Sequence, residues 1–247
     1  AGPNQWGQLK LFHSISLNYA NLIKRDNWGR NDQSIHRINL GYKVEKPLPL
    51  YTGLTLTPSL AWMHQDYQTQ NGPAVRTFNE YGLDLHALMH QRIPYSNDIW
   101  EIDQILHLVK LSVGFRETSM VSGNSVLNLP EIYPTVDDLN LAPFDLLDHQ
   151  NRELVSEKTI IRFGCENIIA AKWDNRTRKL ISMRTYYDLL DNHPQKVNEG
   201  DFLYSDIRIN PIYWLSLNFR NKIDLDSGKN FRKSYSLSLR DGRVQGA

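Results

Sequence analysis

The stretch Val109-Lys110-Leu111-Ser112-Val113-Gly114-Phe115-Arg116 alternates apolar and polar residues at every step. A period of two, rather than the 3.6 of a helix, marks a strand with one apolar and one wetted face. The same rule holds upstream. Tyr81, Leu83, Leu85, Ala87 and Met89 oppose Gly82, Asp84, His86 and His90, while Leu54, Leu56, Leu60 and Trp62 oppose Thr55, Thr57 and Ser59. Ile38, Leu40, Tyr42 and Val44 oppose Arg37, Asn39 and Lys43, and Leu9 to Tyr19 repeats the pattern. Downstream, Ile161, Phe163, Cys165 and Ile169 share one parity, as do Ile181, Met183, Tyr187 and Leu189, then Leu203, Ile207 and Ile209. Leu215, Leu217, Phe219, Ile223 and Leu225 follow, and Phe231, Tyr235, Leu237 and Leu239 close the series. The spacing predicts strands near residues 9–22, 34–45, 51–64, 78–90, 105–118, 158–171, 178–190, 202–210, 214–225 and 231–240.

Strands of this length match the roughly 9–11 tilted residues that cross a bilayer, with the excess standing clear of it. A soluble sandwich would use shorter strands and pack one face of each into a dry core. The expectation is an all-β fold: an antiparallel transmembrane β-barrel, a meander of about ten long strands. Residues 1–247 are then a single outer-membrane barrel domain or barrel fragment. The connections run about 11, 5, 13, 14, 39, 6, 11, 3 and 5 residues, mostly alternating long and short as porin-type barrels do. Lys46-Pro47-Leu48-Pro49-Leu50, Lys172 to Thr177 and Pro211-Ile212-Tyr213 read as short turns. Residues 119–157 lack a period, contain three prolines and carry seven acids against the single base Arg152. This long acidic loop reads first as a solvated excursion, and alternatively as a plug folded into the lumen or a divalent-cation contact. Trp6, Trp28, Tyr51, Trp62, Tyr67, Trp100, Trp173, Tyr204, Tyr213 and Trp214 lie near strand ends, where a headgroup-level girdle belongs.

Composition narrows function. With 40% hydrophobic residues and a net charge of +1, the chain is neither disordered nor basic enough to favour nucleic acid. No apolar run approaches the roughly 20 residues of a spanning helix. Glycine-rich phosphate loops, HExxH, GxSxG and EF-hand spacings are all absent, and no cofactor or metal is expected. On a strand, His86 and His90 stand about 13 Å apart, too far to share a metal. Cys165, the only cysteine, falls on the apolar parity and reads as a small hydrophobe. The recurrent chemistry is charge on the opposite parity: Arg162, Glu166, Arg184, Asp188, Asp206, Arg208, Arg220, Lys222, Asp224, Arg232 and Arg240. Such residues form mixed-sign cross-strand ladders that keep a polar interior paired, and they could also guide a charged amphiphile.

Several words resemble the LptD family of outer-membrane lipopolysaccharide-assembly proteins. They are Ile99-Trp100-Glu101-Ile102-Asp103-Gln104-Ile105-Leu106-His107 leading to Gly114-Phe115-Arg116, and Ile161-Arg162-Phe163-Gly164-Cys165-Glu166-Asn167 after Asn151-Arg152. The longest is Gly200-Asp201-Phe202-Leu203-Tyr204-Ser205-Asp206-Ile207-Arg208-Ile209-Asn210-Pro211, followed by Trp214-Leu215-Ser216-Leu217 and Ser238-Leu239-Arg240-Asp241-Gly242. The resemblance covers about two thirds of the chain, from Tyr81 onward. It implies a non-catalytic translocon component in the cell outer membrane of a Gram-negative bacterium. Its cargo would be lipopolysaccharide, and its partners a plug lipoprotein (LptE-like), a periplasmic bridge protein (LptA-like) and outer-membrane lipid. That family's barrel is larger, so the chain is expected to be an excerpt, and mid-strand Cys165 does not fit the family's disulfide pattern. The rival readings are a passive porin-like channel, an outer-membrane hydrolase using His86 or His90 with nearby serines, and a soluble β-sandwich.

Overall fold

The structure is a computed structural model that describes residues 4–6, 10–24, 33–69, 72–123, 144–148, 155, 157–173, 176–191, 201–212, 214–225 and 230–239. It is an all-β antiparallel meander. The strands are β1 (Asn4–Trp6), β2 (Leu11–Lys24), β3 (Gln33–Glu45), β4 (Leu48–Tyr51), β5 (Leu54–Thr69), β6 (Gly72–Ile93), β7 (Gln104–Gly123), β8 (Lys158–Trp173), β9 (Arg176–Asp191), β10 (Phe202–Ile212), β11 (Leu215–Asp224) and β12 (Asn230–Leu239). Eleven of them pair in chain order into one barrel-like sheet that is not closed, and β4 lies off this path against β5. All ten predicted strands are present.

Alternation fixes the two faces. On the outer face Leu17, Leu40, Leu60, Leu83, Leu111, Phe163, Phe219 and Leu237 are exposed, Leu17 to 75% and Leu237 to 61%. On the inner face Arg37, Asn39, Gln65, Arg76, Glu80, Arg116, Arg162 and Asp188 are buried. This inverts the usual order of a soluble protein, in which large apolar patches are hidden and charges face water. The outer apolar band also has a straight border at one end. In register across four strands, Leu83, Phe115, Ile161 and Leu189 are apolar. One step further, the line Tyr81, Glu117, Thr159, Asp191 is polar apart from its tyrosine. Toward the other end Ile93, Ile105 and Ala171 align, with Gln91, His107 and Asn167 as polar interruptions of the outer face just before them. From Ile105 to Phe115 the chain covers about 34 Å along the strand.

Three expectations need correction. The connection predicted at residues 65–77 is strand: β5 runs to Thr69 and β6 starts at Gly72, with all of β5 paired to β6 from Gly72 to Ala87. Beyond Trp62 both faces of β5 are largely polar, so the alternation that signals a strand fades while the backbone ladder continues. The turn predicted at Lys46–Leu50 holds β4, whose Pro49 is tolerated because this short strand pairs on one side only. Pro58 sits where β5 changes partner from β4 to β3, so its missing N–H costs no ladder bond there. Third, β7 extends to Gly123, and part of the acidic loop lies on the sheet.

Candidate functional site: the inner face and the segment docked on it

Residues 144–148, ending in a single 3-10 turn at Leu146–Asp148, dock on the inner face of β3 and β5–β8. The plug-like reading of the acidic loop, rather than the solvated one, describes this segment. Its sequence explains the docking residue by residue. The Phe144 ring lies between two guanidinium groups, 4.4 Å from Cζ of Arg116 and 4.7 Å from Cζ of Arg162. Asp145 accepts from Arg116 Nε at 2.5 Å and from Lys43 Nζ at 3.0 Å, the latter 102 residues away in sequence. The Leu146 N–H donates to Glu80 Oε1 at 3.1 Å. Leu146 and Val155 are buried against Ala61, Met63 and Phe78, with Leu147 and Met120 alongside. Glycines make the room. A Cβ on Gly114 would lie 2.6 Å from the Phe144 ring, and one on Gly41 would overlap Leu147.

Electrostatics locks the segment in place. Arg116 holds Asp84 through both guanidinium nitrogens, at 2.7 and 3.1 Å, while its Nε holds Asp145. Bidentate charge-assisted bonds of this kind are roughly twice as strong as neutral ones. Burial alone would raise the Asp145 pKa, but the adjacent Arg116 and Lys43 cations outweigh it and hold the carboxyl below the usual aspartate range. A second bidentate pair joins Arg162 to Asp188, at 2.6 and 2.7 Å across β8 and β9.

The predicted inner-face charges fall into rows. Lys110, Glu166, Arg184, Asp206 and Arg220 are successive register neighbours on β7 to β11, alternating in sign. Glu166 accepts from Tyr186 Oη at 2.9 Å. Arg208 faces Ser182 and Asn218. Lys222 neighbours Arg232, a like charge, and lies over the rings of Phe202 at 4.1 Å and Tyr204 at 5.2 Å. Asp224 neighbours Phe202, and Arg240 lies outside the described residues. The ladder reading therefore fits Arg162–Asp188 as an ion pair; the row through Arg220 alternates in sign without closing ion pairs among the described residues, and Lys222 and Arg208 depart from it.

Sequence reasoning missed the cluster of Lys43, Glu80, Asp84, Arg116 and Asp145. The first four lie on the inner parity, which was the available signal, but nothing local joined them to Asp145. Two aromatics assigned to the girdle are corrected: Tyr67 is fully buried and Tyr204 nearly so on the inner face. Tyr67 donates to Gln65 at 3.2 Å and accepts from Arg76 at 2.8 Å. Tyr51, Trp62, Trp100 and Trp214 are exposed as expected, whereas the side chains of Trp6, Trp28, Trp173 and Tyr213 lie outside the described residues.

The surroundings of His86, one of the two histidines of the hydrolase reading, are set by its register neighbours. Ser112 is its register neighbour, but Asp84 is held by Arg116. Two of the family-like words do meet. His107 from one and Asn167 from the other hydrogen-bond at 2.9 Å across β7 and β8, on the outer face. The turn before β7 is tied to β8 by the Asp103 N–H on Lys172 O at 2.8 Å and to β9 by Arg178 donating to Trp100 O at 2.8 Å. No protein-family model matches the chain, and no curated protein is similar enough to match it.

Proposed function

We propose that the chain forms the wall of an outer-membrane β-barrel that passes lipopolysaccharide to the outer leaflet, as a non-catalytic, LptD-like translocon component. The observation that carries membrane placement is the outer apolar face of β6–β9, exposed at Leu83, Leu85, Leu111, Val113 and Phe163 and giving way at one end to the line Glu117, Thr159, Asp191. Such a band needs lipid, and the charged inner face behind it needs water. Hydrocarbon leaves no backbone group unpaired, so the edges of β1 and β12 must be paired when the wall is in the bilayer. The cargo assignment rests on the family-like words, two of which converge in the His107–Asn167 contact. A plug lipoprotein and a periplasmic bridge belong to the same reading.

The test is depletion of the gene in its host, followed by labelling of newly made lipopolysaccharide at the cell surface. Surface delivery is expected to fail, with glycolipid accumulating in the inner membrane. Normal delivery overturns the translocon and favours a second reading, a passive channel narrowed by the docked segment around Asp145. That alternative predicts ion conductance in planar bilayers without any partner.

A further inference from the structure

The mixed-sign ladder loses its balance at one place. A cleft of about 110 Å³ on β9 and β10 is lined by Lys179, Ser182, Arg184, Asp206, Arg208 and Asn210, three cations against one carboxylate. Arg220 stands across from Asp206 on β11 and adds a fourth cation to the border. The nearest other carboxylate, Glu166, is engaged by the Tyr186 hydroxyl. Among the described residues no ion pair within 4 Å joins Lys179, Arg184, Arg208 or Arg220 to any acid, unlike Arg116 and Arg162. Next to the cleft, the Arg220 Nε donor is buried without a hydrogen-bond partner. A buried donor left unsatisfied is costly, so such a group marks a place where a ligand or water belongs.

From this we infer that the cleft is a binding site for a phosphate monoester. Arg184 and Arg208 sit on adjacent strands at diagonal positions, so their two planar forks reach one ligand from different sides. A carboxylate is satisfied by a single fork, whereas a doubly charged tetrahedral phosphate offers three oxygens. Those oxygens can engage both guanidinium groups and the Lys179 ammonium, with the Ser182 hydroxyl as a further donor. Asp206 keeps the cleft from being saturated with positive charge, so the ligand is held but can leave. The site deepens the transport reading by naming the headgroup chemistry that the inner face grips. It rests on inner-face geometry, however, and is tested without any membrane assay.

The test uses the full chain in a non-ionic, phosphate-free detergent, titrated with glucose 1-phosphate in one arm and with phosphatidic acid mixed into the micelles in the other. Phosphorus NMR and calorimetry report binding. Saturable binding that weakens with added salt is expected in at least one arm. Arg184→Gln with Arg208→Gln should weaken it about tenfold or more, while Asp206→Asn should tighten it and Arg232→Gln, away from the cleft, should leave it unchanged. A response only to glucose 1-phosphate assigns the site to a soluble sugar phosphate, and a response only to phosphatidic acid assigns it to a lipid headgroup. Absence of binding in both arms overturns the inference, as does binding that the double variant retains or that Arg232→Gln weakens equally. Loss of lipopolysaccharide delivery in cells is a separate readout, so either conclusion can fail without the other.

Discussion

Asp145 is the residue on which the docked segment depends, because it meets two cations from different strands, Arg116 on β7 and Lys43 on β3. Removing one partner from a largely buried ion pair leaves the other charges uncompensated, a loss of about 3–5 kcal/mol. Asp145→Asn should therefore release the segment while leaving the strand ladder intact. Hydrogen exchange would show it as lost protection at the Leu146 amide, which now donates to Glu80, with β6–β8 amides unaffected. Retained protection would mean that Phe144 and the Leu146 cluster suffice. Acid should do the same reversibly. Because the Asp145 pKa is depressed in the folded state, its contribution is fully present above the ordinary aspartate value of about 3.9. It is lost as pH falls through the lower, folded value. The loss through Asp145 is thus confined to strong acid, below about pH 4. Burial pushes Glu80, which accepts from the same amide, up to about 7. Any change in Leu146 protection between about pH 7 and about pH 5 therefore reports Glu80, and only the further loss in stronger acid reports Asp145. Asp145→Asn should already lack that protection at neutral pH.

At the scale of the strand, parity decides tolerance. Leu83 on β6 lies in the outer band, whereas its neighbour Asp84 faces Arg116 on the inner side. A charge placed on the lipid side of a barrel costs about 2–4 kcal/mol near mid-depth and little at the rim. Leu111→Arg, mid-band on β7, should impair folding into vesicles by about that amount. Ser112→Arg, one residue on, should cost less because it joins a face already lined by charge. Heat-modifiable gel mobility after refolding into lipid measures both, and equal loss from the two variants would remove the parity argument. The same parity explains what was legible beforehand. Alternation located every strand whose outer residues touch the apolar band, since only there do the two faces differ. It failed on β5 beyond Trp62 because His64, Gln65, Asp66 and Gln68 leave both faces polar. It failed on β4 because four residues around Pro49 carry no period. The docked segment was illegible for another reason: its contacts, such as Asp145 with Lys43 across 102 residues, exist only once the sheet has brought them together. Tyr67 and Tyr204 misled because proximity to a strand end says nothing of which face a ring takes.

For the whole molecule, the question is what covers the outer band, and the chain carries its own reporter. Cys165 is its only cysteine, and it lies on the outer parity in the line Ala87, Leu111, Cys165, which falls midway between the two borders of the band. A nitroxide attached there, with no other residue changed, sits in hydrocarbon if the sheet is a bilayer wall. It sits in water or in a protein interior if the sheet belongs to a soluble sandwich. Oxygen partitions into the bilayer centre and a nickel chelate stays in water, so their relative effects on spin relaxation separate the cases. In vesicles, relaxation should respond strongly to oxygen and barely to nickel. Labels moved to the borders, at Tyr81→Cys and Ile93→Cys in a Cys165→Ser background, should shift toward nickel in step with their distance from mid-band. A label at Ser112→Cys, on the inner face beside His86, should respond to nickel despite lying at the same depth as Cys165. The contrast between positions 165 and 112 is the decisive one. A soluble fold can hide one face or expose both, but only a wall between lipid and water makes two sites at one height report opposite solvents.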